Sequence, residues 1–64
     1  MCESNVFLKK QDGTETLIME NVAAITPSGT DTFLLKGLLG DRQEISGRIE
    51  DINLMAHKIV LVDI

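Results

Sequence analysis

The stretch Asn5-Val6-Phe7-Leu8-Lys9-Lys10-Gln11-Asp12-Gly13-Thr14-Glu15-Thr16-Leu17-Ile18-Met19 decides the fold. Asn5–Lys10 alternates, with Val6 and Leu8 on one face and Phe7 and Lys9 on the other, which is the two-residue period of a half-buried strand. Asp12-Gly13 then supplies residues that tolerate φ > 0, as a tight hairpin turn requires, so Glu15–Met19 is the returning strand.

Working outward, turn chemistry recurs every eight to twelve residues or so, the spacing of short antiparallel strands. Met19-Glu20-Asn21 leads into a separate strand at Val22–Thr26, and Pro27-Ser28-Gly29-Thr30-Asp31 forms a second turn cluster. Thr32–Lys36 is a strand ended by Gly37, and Gly37-Leu38-Leu39-Gly40-Asp41 is a hairpin loop carrying a half-buried leucine pair. That loop lacks the Gly-Lys-Ser/Thr ending of a phosphate-binding loop and opens no helix. Arg42–Ser46 is the next strand. Gly47 interrupts the run before Arg48–Asn53, so a bulge or sharp bend there lets one strand serve two sides of a small barrel. Leu54-Met55-Ala56-His57 is a tight loop or one helical turn. Lys58–Ile64 closes the chain as a strand apolar on both faces, which belongs in the centre of a sheet or in an interface. The pattern predicts an all-β domain over residues 1–64, an SH3-like barrel of about five to seven short antiparallel strands.

Sixty-four residues permit one small core, burying only about 60% of the surface that the unfolded chain exposes, so self-association is an expected source of stability. Ten acidic against six basic residues give a net charge of −4 and a pI near 4.6. Such a balance repels phosphate backbones and anionic membranes. Two phenylalanines, with no tyrosine or tryptophan, leave few stacking platforms for single-stranded RNA. No signal-peptide pattern precedes Lys9-Lys10, and Ile59-Val60-Leu61-Val62 is far too short to span a bilayer.

Cys2 is the sole thiol, and one cysteine makes no internal disulfide. This points to a reducing compartment, the cytoplasm. Near a chain end the residue is expected at a rim, where a thiolate is a soft ligand for nickel, zinc or copper. The terminal amine, the backbone amide and the thiolate lie within a few bonds of one another there. Donors of that kind in one plane suit Ni(II) or Cu(II), whereas the tetrahedral sulfur-rich zinc site needs partners that the sequence lacks. A buried apolar filler and an inert surface thiol stand as the plain alternatives for Cys2. His57, the one histidine, reads as a solvated turn residue beside Lys58. Cys2 with His57 has no third orienting residue and no oxyanion-hole motif, so an enzyme is not expected.

Met1-Cys2, the strand into Asp12-Gly13, Met19-Glu20-Asn21-Val22 followed by Ile25, Gly40-Asp41 before a strand, Gly47-Arg48-Ile49 with Ile52, and the closing Ile59-Val60-Leu61 together resemble the CooT family. That family comprises small nickel-binding proteins associated with carbon monoxide dehydrogenase maturation, many of them filed as predicted RNA-binding proteins. The resemblance implies a non-enzymatic, metallochaperone-like homodimer of SH3-like barrels that binds Ni(II) through Cys2 for a nickel-enzyme client. The competing expectation is an SH3-like RNA- or protein-binding module with no metal role.

Overall fold

The computed structural model describes residues 3–64. Six strands follow one another: β1 (Ser4–Lys9), β2 (Glu15–Gly29), β3 (Thr32–Gly37), β4 (Arg42–Ser46), β5 (Arg48–Asn53) and β6 (Lys58–Val62). They form one sheet in the order β4-β3-β2-β1-β6-β5. The strands at its two edges, β4 and β5, are consecutive in the chain and separated only by Gly47. The sheet must therefore curl until its edges meet at that residue, which produces the barrel.

Gly47 is fixed from both sides. Its N–H donates to the Asp31 carbonyl in the β2–β3 turn at 2.8 Å, and the next residue, Arg48, reaches the Asp31 carboxylate at 3.3 Å. A Cβ placed on Gly47 would lie 2.8 Å from the backbone oxygen of Val62 and 3.6 Å from Leu61 and Leu8 side-chain atoms. Only a residue without a side chain lets the chain pass this close to β6.

The strand-turn-strand reading of the first nineteen residues holds, with a refinement at the turn. Gly13 alone takes positive φ (90°), while Asp12 accepts the Thr14 N–H at 2.9 Å through its carboxylate. The Gly13 N–H donates to the Lys10 carbonyl and the Lys10 N–H to Thr14, closing the loop. The backbone hydrogen bond from Thr14 holds the Asp12 carboxyl below the usual carboxylate range.

Three expectations are corrected. Glu15–Met19 and Val22–Thr26 are not separate strands but parts of the single β2, because Met19-Glu20-Asn21 bends the chain without reversing it. Asn21, at φ 53°, makes the bend, and Val22 pairs with both Ser4 of β1 and Gly37 of β3, handing the strand from one partner to the other. Pro27 is tolerated inside β2 because it borders a register shift where the ladder is already interrupted. The second turn is consequently confined to Thr30 and Asp31, with Asp31 at φ 53°. Secondly, the pairing is not wholly antiparallel: β1 and β6 run parallel, Asn5 opposite Lys58 through Lys9 opposite Val62. The bend at Gly47 carries the chain to the far edge, and after one more reversal β6 arrives in the direction of β1. Thirdly, the leucines of the β3–β4 turn are exposed, Leu38 by 53% and Leu39 by 95%.

Val6, Met19, Val22, Leu35, Ile59 and Leu61 form the buried core, with Leu8, Ile18, Ile25, Phe33 and Ile45 packed against it. Each fully buried aliphatic side chain contributes about 1.5–3 kcal/mol. The two-sided apolar character of β6 is explained by its central place between β1 and β5. Ile59 and Leu61 enter the core, while Val60 alternates to the outer face, where it stands beside Phe7 and is itself buried. Lys58 lies 5.0 Å from the Phe7 ring centroid with its ammonium 2.7 Å from Glu15, and Lys9 meets Glu50 at 3.2 Å, so long aliphatic stems and ion pairs lie over this outer strip.

Gly47→Ala is expected to lose about 1–3 kcal/mol of stability in urea denaturation, the usual cost of overpacking, because the clash is with backbone. Gly40→Ala, where φ is 93° but no atom lies within 4 Å, should lose only about 1 kcal/mol from backbone strain. Equal losses at the two sites would show that the barrel junction is not sterically constrained. A second expectation concerns acid. Since the folded pKa of Asp12 is depressed, its contribution is present above the unfolded value near 3.8 and fades as pH falls through the folded one. Asp12→Asn, which keeps the acceptor but cannot titrate, should make stability less sensitive to pH between about 5 and 2 in acid titrations followed by circular dichroism. An unchanged pH slope would assign the acid sensitivity to other carboxylates.

Candidate functional site

The residue that carries the metal chemistry read from the sequence, Cys2, lies with Met1 outside the described residues. What the structure defines is the root from which that segment departs. Ser4, only 4% exposed, starts β1 opposite Val22. The Asn5 N–H donates to the His57 carbonyl at 2.8 Å, and the Asn5 side-chain oxygen accepts the Asn21 N–H at 3.2 Å. Asn21 in turn accepts the Leu38 N–H at 2.9 Å. One rim thus collects the start of β1, the bend of β2, the β3–β4 turn and the end of the β5–β6 turn.

Local chemistry explains how two of these positions are made. The Asn53 side-chain oxygen accepts the Ala56 N–H at 3.0 Å and the His57 N–H donates to the Leu54 carbonyl at 3.2 Å, winding Leu54–His57 into a tight turn. His57 at φ 54° then swings the chain into β6. Asn21 does the same for β2 at φ 53°. Asparagine and histidine are among the non-glycine residues that most readily occupy the left-handed region. His57 is exposed on its turn, which agrees with the solvated reading of its side chain. Sequence reasoning did not place His57 at the root of the N-terminal segment, because that proximity comes from the parallel β1–β6 pair, for which no local signal exists.

Among the described residues, no three of His, Cys, Asp and Glu come together in a metal-binding group. Beside the rim a depression of about 450 Å³ lies between the bend of β2 and the β3–β4 turn, bordered by Ile18, Glu20, Asn21, Leu38, Leu39 and Arg42 among others. Among the described residues the rim offers hydrogen-bonded backbone with the exposed polar residues Asn21 and His57.

Comparison with known proteins decides the family. A model of the family described as CO dehydrogenase accessory protein CooT matches residues 1–62. The chain belongs to the CooT family. CooT proteins are accessory to CO dehydrogenase and not themselves its catalyst, so the expectation of a non-enzyme holds. The fold is similar to the crystal structure described as CooT from Carboxydothermus hydrogenoformans, with a TM-score of 0.86 and 31% sequence identity over 95% of both chains. No curated protein sequence matches the chain. No helix among the described residues is long and apolar enough to cross a membrane.

The rim can be tested by backbone strain. Asn21→Gly should keep or slightly raise stability, whereas Asn21→Val should lose about 1–2 kcal/mol, the cost of forcing a β-branched residue into the left-handed region. Denaturant midpoints of both variants against the parent check this, and an innocuous valine would mean that β2 bends without the left-handed residue.

Proposed function

We propose that this CooT chain is a nickel-binding accessory protein that carries Ni(II) on Cys2 as cargo for a CO dehydrogenase-type nickel enzyme, acting as a homodimer in the cytoplasm. The observation that carries the reading is the family match from residue 1 onward, which takes in the Met1-Cys2 start. Thiolate chemistry supports it: a deprotonated cysteine is a soft donor of the kind nickel accepts, and amine and amidate groups adjacent in the chain complete a suitable donor type. Asn5, three residues after Cys2, is tied by backbone and side chain to two other parts of the barrel, so a metal held by the segment has a fixed base. Exposed polar residues around that base leave room for a receiving protein.

Self-association is supported by β5, an edge strand whose six residues are all exposed. Ile49 and Ile52 pair with Leu61 and Ile59, and so face the core side, yet they are 44% and 53% exposed because no further strand covers them. Leu54 and Met55 continue the apolar strip into the turn, at 59% and 94% exposure. Val60, by contrast, is already buried within one chain, so the case for a second copy rests on β5 and its turn and not on the two faces of β6.

Nickel titration of the parent should give ultraviolet thiolate-to-nickel charge-transfer bands, and Cys2→Ser should remove them while circular dichroism stays unchanged. Retained affinity in that variant would overturn the assignment of Cys2. Affinity should also fall on acidification, because the ligands must shed protons to bind. A short tag fused ahead of Met1 distinguishes the donors: if the terminal amine is a ligand, the tagged protein loses most of its affinity, and if thiolates from two copies share the ion, it does not. Binding of RNA in a parallel gel shift, with no nickel bands, would favour the alternative module. For the dimer, sedimentation should give twice the monomer mass, and Ile52→Asp should shift it to monomer with the β spectrum intact. A parent monomeric at high micromolar concentration would remove the dimer from the proposal.

A further inference from the structure

We draw no further inference here: the strongest candidate, the depression between the bend of β2 and the β3–β4 turn with Leu38 and Leu39 at its border, mixes Glu20 and Asp41 with Arg42 and nothing in the structure shows what covers it.

Discussion

The Gly47 junction is the constraint on which the other contacts depend. One hydrogen bond to Asp31, one ion pair from Arg48 to the same residue, and a missing side chain against the Val62 carbonyl bring the two edges of a six-stranded sheet together. The ion pair is exposed and worth at most about 1 kcal/mol by itself. The steric term is larger, since a backbone oxygen cannot yield as a flexible side chain does. β5 and β6 pair antiparallel through the Leu54–His57 turn, and β6 lies parallel to β1 on its other side, with Leu61 fully buried between.

Closure also explains why a chain of this length can hold a core. Val22 is bonded to two neighbours because β2 turns at Asn21, and Leu35 on β3 thereby shares one interior with Val6 and Leu61 from the other half. A flat sheet of the same six strands would leave one face of each aliphatic residue wet. Curling trades that exposure for three non-glycine residues in the left-handed region, Asn21, Asp31 and His57. The edges are protected by charge: Arg42 and Glu44 lie on β4, and Arg48, Glu50 and Asp51 on β5, where they oppose uncontrolled strand addition.

Much of this was legible in the sequence, and the exceptions have physical reasons. The extent of β4, Arg42–Ser46, follows from its flanking glycine turns, and the role of Gly47 follows from its place inside an otherwise continuous run. β1 begins and ends one residue earlier than expected, and β6 starts at Lys58 as expected but ends at Val62, two residues earlier. In the sequence Met19-Glu20-Asn21 reads as a break between strands, because asparagine signals a left-handed residue equally in a turn and in a bend; only the pairing partner distinguishes them. The parallel β1–β6 register carries no local signature, since it joins the first and last strands through closure of the whole barrel. At the candidate site the expectation for Cys2, which lies outside the described residues, rests on one side chain and its neighbours along the backbone. The arrangement of Asn21 and His57 around the root is not legible in the sequence, because both owe their positions to pairings remote in sequence.

That difference bears on how an accessory protein of this family is built. The donor atoms proposed for nickel are covalently close to one another, so the barrel need not assemble them from distant strands. On this reading its contribution would be to hold Ser4 and Asn5, at which the sheet begins. A ligand set drawn from several strands would gain affinity from preorganisation but would have to distort the fold to release its ion. On the proposed reading, donors ahead of Ser4 and Asn5 would bind and release an ion without any change to the core from Val6 to Leu61. A stable barrel and the proposed exchangeable metal would then be compatible, because the contacts that secure the barrel begin at Ser4, after the proposed donors.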